Sequence, residues 1–278
     1  MFRNPFVLLT GTIAALFASL RAGWAAGDGQ PLPWQMGFQP AVTPVMQDIE
    51  VFHNFVLYII TAITLFVLAL LLWVAIRYNR RANPTPSRIS HNTLLEVAWT
   101  VIPVLILVAI AIPSFRLLYF EADIPKPDLT IRAIGKQWYW TYEYPQSGDF
   151  QYDSLGLSDA AALKAGEPRL LGVDNPVVVP VNKVVKVETA GADVIHSWAV
   201  PSFGVKMDAI PGRLNLTWFK ALREGTFYGE CSELCGARHA FMPIEVKVVS
   251  QDAFNAWLAA AKKKYAQSDA THVAALTR

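Results

Sequence analysis

Two uncharged runs constrain this chain more than any other feature in it. Residues 54–76 read NFVLYIITAITLFVLALLLWVAI and carry no charge over 23 positions. At about 1.5 Å of rise per residue, a helix of that length crosses a hydrocarbon core of about 30 Å. Residues 97–115, VAWTVIPVLILVAIAIPSF, add 19 more uncharged positions, and this second span is predicted over about 97–117. Pro103 and Pro113 predict kinks in it, which membrane helices tolerate where neighbours satisfy the freed backbone groups. The intervening loop holds Arg77, Arg80, Arg81 and Arg88. Short arginine-rich loops stay on the cytoplasmic side, so residues 77–92 are predicted to be cytoplasmic. Residues 51–120 therefore read as a transmembrane helical hairpin with both outer ends in the opposite compartment.

The N-terminus gives the same orientation independently. Arg3, an apolar run over 6–20 and the small residues Ala25 and Ala26 form the pattern of a secretory signal peptide at 1–26. The apolar run is too short for a comfortable span, although an uncleaved anchor helix is the alternative. Either way, residues 27–50 are placed outside. The expected location is a bacterial inner membrane, with the N-terminus and everything after about Glu121 in the periplasm. The chain is 53% hydrophobic and 17% charged, oily for a soluble protein, and the surplus is concentrated before Phe120. A net charge of +2 without blocks of like charge argues against a nucleic-acid partner.

After Asp128 the texture changes. LTIRAIGKQWYWTYEY, NPVVVPVNKVVKVETA, VIHSWAVP, LNLTWFKAL, GTFYGECS and MPIEVKVVS are rich in Val, Ile, Thr, Trp and Tyr, and many alternate apolar and polar. That pattern predicts half-buried antiparallel strands in a small all-β sandwich or barrel over 127–250. Residues 150–172 read as a soft, partly helical insertion between strands. Residues 252–265 predict a terminal helix, with Lys262, Lys263 and Lys264 favourably placed against its dipole. The 251–278 segment is then a helix with a frayed tail.

Both cysteines of the chain lie in GECSELCGARHAFMP, residues 229–243. Cys231 and Cys235 are followed by His239 and Met242, and a second histidine, His196, stands upstream in VIHSWAVP. In an oxidising compartment two cysteines normally pair. Zinc accepts two thiolates and two imidazoles but has little use for a thioether. Copper suits all three donor types, and histidine, cysteine and methionine on a β-sandwich is the blue-copper theme. A mononuclear copper site of that kind needs one cysteine. Two could instead bridge two coppers, each completed by one histidine and one weak axial donor. Met242 is one candidate axial donor and a loop carbonyl the other, with Glu233 between the cysteines.

VIHSWAVPSFGVKMDAIPGR followed by GECSELCGARHAFMPIEV closely resembles subunit II of cytochrome c oxidase, of the bacterial aa3 type. GKQWYWTYEY and LLEVAWTVIPVLIL extend the resemblance from the membrane spans to the end of the domain. It implies a two-helix hairpin followed by a cupredoxin-like Greek-key sandwich. It implies a binuclear copper A centre on His196, Cys231, Cys235 and His239, with Met242 and the Glu233 carbonyl as weak ligands. The Glu233 carboxylate is expected on a magnesium shared with subunit I. Haem a, haem a3 and copper B belong, in the family, to subunit I. The implied activity is that of the electron-accepting subunit of a proton-translocating cytochrome-c oxidase, which reduces O2 to water. The implied partners are subunits I and III, cytochrome c and membrane lipid.

The resemblance also marks residues whose ordinary reading is structural. Trp138, Tyr139, Trp140, Tyr142 and Tyr144 suit packing on a strand, but Trp138 is the implied point at which cytochrome c delivers electrons. Glu143, Asp153, Asp174 and Asp193 read as solvated acids or as a negative patch that steers a basic cytochrome. Glu96 reads as a headgroup-level anchor or, by resemblance, as the entrance of a proton path into subunit I. Asp208 and Arg213 suit either a turn salt bridge or the interface with subunit I. The competing function is a membrane-anchored copper chaperone or thiol-disulfide oxidoreductase using the CxxxC pair. That requires a thioredoxin-like alternation of strands and helices, and it leaves Met242 and a histidine idle. A disulfide-stapled structural module leaves Glu96 and the double span unexplained.

Overall fold

The computed structural model describes residues 29–276, so the predicted signal peptide at 1–26 lies outside the described residues. Helix α1 is Pro44–Arg77. Thr43 caps it by accepting the Met46 N–H at 3.1 Å, and Pro44 stands in the first turn, where a missing N–H is harmless. The helix therefore starts well before the predicted span, which began at residue 54. Helix α2 is Thr93–Ala122 and runs unbroken through both Pro103 and Pro113. Asn92 caps it by accepting the Leu95 N–H at 3.2 Å. Glu96 answers by accepting the Asn92 N–H at 3.3 Å.

Apolar side chains along both helices face outward: Leu65 is 60% exposed and Leu105 61%. A soluble protein does not leave so large an apolar surface open, and lipid or other protein must cover it.

Among the described residues, ten strands form two five-stranded sheets packed face to face. The first runs β3 (Phe150–Ser154), β2 (Tyr139–Tyr144), β1 (Leu129–Lys136), β5 (Val185–Gly191) and β8 (Asn215–Phe219). The second runs β4 (Val177–Pro180), β10 (Pro243–Val249), β9 (Gly225–Cys231), β6 (His196–Val200) and β7 (Val205–Ala209). Alternation decides which face of a strand goes inward. In β3, Phe150, Tyr152 and Ser154 are buried while Gln151 and Asp153 face water. The core between the sheets holds Trp140, Tyr142, Tyr144, Trp198, Phe203, Phe219 and Phe227. Tyr144 keeps its hydroxyl satisfied there by donating to the Val178 carbonyl at 2.9 Å and accepting the Val178 N–H at 3.1 Å.

Three details depart from the expected layout. The pairs β1–β5 and β4–β10 are parallel, so the sandwich is mixed rather than purely antiparallel. The supposed insertion at 150–172 begins in strand β3, paired with β2, because its first five residues alternate apolar and polar like any edge strand. Its helical part is only α3, Asp159–Ala165. The terminal helix α4 is Gln251–Leu276, longer than the 252–265 expected, and it continues where a frayed tail was predicted.

The domain is tied to the hairpin at several points. The Gly29 carbonyl accepts the Tyr228 N–H at 3.0 Å, and the Val42 carbonyl accepts the Leu222 N–H at 2.9 Å. Thr43 donates its hydroxyl to the Phe203 carbonyl at 2.6 Å. At the other helix, the Trp218 indole donates to the Glu121 carbonyl at 3.1 Å and meets Phe120 edge-on. The segment before α1 thus acts as a strap along the domain, a role its irregular sequence does not announce.

Candidate metal centre

The centre is built from β6, the end of β9 and the loop that returns to β10. His196 opens β6 and is fully buried, on the inward face with Trp198 and Val200. Cys231 closes β9 opposite Trp198, and Cys235 lies in the following loop. His239 begins a short 3-10 turn, Pro243 opens β10, and buried Met242 stands between them. Gly236 has φ +121, and a Cβ there would come within 3.0 Å of the Trp138 ring. Glycine lets the loop take this shape and lie against the indole. A Cβ at Gly135 would lie 2.7 Å from the His196 ring, so β1 can cross the histidine only with glycine at that point.

The donors predicted from sequence come together as two linked pairs. His196 Nδ1 lies 3.8 Å from Cys231 Sγ, and His239 Nδ1 lies 3.5 Å from Cys235 Sγ. The two sulfurs are 3.9 Å apart and both thiols are free. Met242 Sδ is 3.5 Å from Cys235 Sγ, and the Glu233 carbonyl is 3.4 Å from Cys231 Sγ. The ligand atoms of His196, Cys231 and Cys235 all fall within 4.8 Å of one another. Each sulfur therefore has its own imidazole and its own weaker donor, with the other sulfur between the halves. One tetrahedral ion would use four of these six donors and leave two without work. Two ions sharing both sulfurs use all six, and the soft thiolate, thioether and imidazole set suits copper. The donors fit a binuclear copper group.

The thiols are electrostatically unequal. Burial pushes Cys231 up, but the His196 imidazole and neighbouring backbone groups outweigh it and bring the thiol down to about 7. Burial and the adjacent Cys231 drive Cys235 up to about 12. A metal takes the thiolate, so a cation bound here would have to displace the proton that burial favours on Cys235.

Trp138 is half-buried beside the centre, and its indole N–H donates to the Cys235 carbonyl at 3.3 Å. Trp140, its neighbour in sequence, is fully buried edge-on to His196 and belongs to the core. The four acids expected on the docking face have distinct surroundings. Glu143 pairs with Arg132 at 2.8 Å, Asp153 accepts the Thr141 hydroxyl at 2.6 Å and Asp174 accepts the Leu155 N–H at 2.8 Å. Asp193 turns inward: Oδ1 is 2.8 Å from His196 Nε2, and Oδ2 accepts the Gln137 N–H at 2.7 Å. Burial would raise the Asp193 carboxyl, but His196 and the backbone N–H groups of Val194 and Gln137 hold it below its ordinary range. The Glu233 side chain is exposed, as is Arg213, while Asp208 is half-buried. Glu96 lies at the opposite end of α2 from this domain.

Sequence reading passed over Gln137 altogether. Its side-chain amide donates to the Cys235 carbonyl at 2.7 Å, and nothing about an isolated glutamine in the turn between β1 and β2 signals that contact. It also missed Glu245, a buried carboxylate that accepts the Val173 N–H at 3.0 Å and so fastens the segment after β3 onto the second sheet. An acid at an outward position of a strand looks solvated until its cover is known.

Comparison with known proteins finds related family models over both parts of the chain. The family described as "Cytochrome C oxidase subunit II, periplasmic domain" matches residues 129–249. Its transmembrane counterpart, "Cytochrome C oxidase subunit II, transmembrane domain", matches residues 31–117. A "Probable cytochrome c oxidase subunit 2" of Rickettsia bellii is 52% identical over 246 residues, covering 88% of this chain and 91% of that protein. "Cytochrome c oxidase subunit 2" of Cereibacter sphaeroides is 45% identical over 269 residues, covering 91% and 88%. Among solved structures, the periplasmic domain of subunit II of cytochrome oxidase of Bradyrhizobium japonicum is 60% identical, with a TM-score of 0.48. That match covers 51% of this chain and 99% of the other.

Proposed function

The chain belongs to the cytochrome c oxidase subunit II family, and from that premise we propose that its periplasmic domain receives electrons from cytochrome c. It is a membrane-bound subunit of a haem-copper oxidase, with two transmembrane helices and a copper A-like cluster. The single observation that carries the finer reading is the pairing of donors: two adjacent sulfurs, each with its own imidazole nitrogen. His196, Cys231, Cys235 and His239 would hold two copper ions, with Met242 and the Glu233 carbonyl as weak donors. Bound there, the copper pair supplies a one-electron carrier whose charge is spread over two ions, so little rearrangement accompanies reduction.

The protein's own contribution is rigidity and a path. His196 and Cys231 sit on neighbouring strands whose register places Trp198 opposite Cys231, so neither ligand can shift alone. The Trp138 indole connects through its hydrogen bond to the Cys235 carbonyl and from there through bonds to the sulfur. Electrons would pass onward to the haem of subunit I for reduction of O2 to water, coupled to proton translocation. The exposed Glu233 carboxylate would meet subunit I through a shared magnesium, and Asp208 and Arg213 would face the same junction. Glu96 would open a proton path on the cytoplasmic side. Glu143, Asp153, Asp174 and Asp193 would contribute to the field that guides cytochrome c. The enzyme would sit in a bacterial inner membrane with both subunit II termini in the periplasm, alongside subunits I and III.

A thiol oxidoreductase built on Cys231 and Cys235 would need alternating strands and helices around the cysteines, and the sandwich does not provide them. The full chain, purified with copper, should hold about two copper ions and show the multi-line EPR signal of a delocalised pair. Stoichiometric zinc with no visible colour would sink the copper reading.

A further inference from the structure

Gln137 and Asp193 are tied to the donor set from both sides without supplying a ligand atom. Asp193 Oδ1 faces His196 Nε2 at 2.8 Å, while Nδ1 of the same ring is the nitrogen that faces Cys231 Sγ at 3.8 Å. A proton on Nε2 shared with the carboxylate leaves Nδ1 as the lone-pair nitrogen. The other Asp193 oxygen accepts the Gln137 backbone N–H at 2.7 Å. The Gln137 side-chain amide then donates to the Cys235 carbonyl at 2.7 Å, the same carbonyl that accepts the Trp138 indole N–H. One continuous chain of bonds therefore runs from the His196 ring through Asp193 and Gln137 to the Cys235 loop. It closes around both halves of the donor set.

We propose that Asp193 and Gln137 are positioning residues that lock the His196 ring and the Cys235 loop into one geometry, in register with Trp138. Asp193 then acts on the centre itself, through His196, and not only through the field at the surface. The proposal rests on the copper reading of the site.

Copper affinity measured by chelator competition, together with the EPR and optical spectra, tests it in the full chain. Partners in this position typically govern metal affinity by about 10- to 100-fold. Asp193→Ala should weaken copper by that factor and shift the EPR hyperfine pattern. Asp193→Asn keeps an acceptor for the Nε2 proton but sets an amide N–H against the Gln137 N–H, so it should restore only part of the affinity and spectrum, falling between wild type and Asp193→Ala. Gln137→Ala removes only the amide bond to the Cys235 carbonyl and should alter the spectrum with copper still bound. It keeps the question answerable if Asp193→Ala does not accumulate. Wild-type affinity and spectra in both alanine variants would overturn the proposal while leaving the copper reading intact. A wild-type chain that binds no copper would overturn both.

Discussion

Trp138 and Trp140 are two residues apart on one stretch of aromatic sequence, yet they do different work. Trp140 is sealed in the core against His196, whereas Trp138 is half-buried over the Cys235 loop with its N–H on the Cys235 backbone carbonyl. The indole adds a flat contact surface and a short bridge to the sulfur, and it supplies no metal ligand. Trp138→Phe keeps a ring but removes the hydrogen bond. We predict that it slows electron transfer from cytochrome c while the copper spectrum stays unchanged. Stopped-flow reduction with cytochrome c measures this, and an unaltered rate would return Trp138 to the packing residues.

At the scale of the element, the outer face of the first sheet carries a row of alternating charges across three strands. Arg132 on β1 stands opposite Glu143 on β2 and Glu188 on β5, and Lys186 reaches Glu188 from two residues away. Burial alone would raise the Glu188 carboxyl, but the bonds from Lys186 and Arg132 outweigh it and lower it below the usual glutamate value. A carboxyl depressed in the folded state adds stability above its unfolded value, and that stability is lost as pH falls through the folded one. The domain should therefore lose thermal stability on acidification, and Glu188→Gln should flatten that loss. Thermal melts of both proteins across the acid range decide it, and parallel curves would assign the acid sensitivity elsewhere. Glu143 is held in the same row by Arg132, so part of its charge is already neutralised before any cytochrome arrives.

On the function proposed above, the whole molecule would separate two kinds of charge chemistry by the thickness of a membrane. On the periplasmic side, exposed acids such as Asp153 and Asp174 would act on cytochrome c at long range, and salt screens such charges over about 8 Å at physiological ionic strength. The second-order rate with cytochrome c should fall steeply as salt rises, with little change in electron transfer inside the bound complex. A flat curve would mean that apolar contact around Trp138 dominates the encounter. At the end of α2 remote from the sandwich, the side proposed to be cytoplasmic, Glu96 caps α2 through its Oε1, a bond that glutamine can also accept. Glu96→Gln therefore removes the charge and spares the cap. We predict reduced turnover of the assembled oxidase with normal reduction of the copper centre. Full turnover with normal proton uptake would leave Glu96 as a helix cap alone.

The sequence by itself determined the elements whose signals are local. Two uncharged runs joined by arginines are enough to write a membrane hairpin, because hydrocarbon admits few other solutions for the backbone. The donors were legible for a similar reason: four of the five side chains lie within one twelve-residue loop, Cys231 to Met242, where spacing stands in for geometry. Only the tertiary structure decided what depends on residues far apart in the chain. It made β1–β5 and β4–β10 parallel, which strand alternation cannot distinguish from antiparallel pairing. It laid the segment before α1 along β9. It also brought Asp193 and Gln137, 56 positions apart, onto one hydrogen bond beside His196. Whether an aspartate is free or bonded depends on what folds beside it, and here the partner comes from the turn between β1 and β2, which the local sequence does not contain.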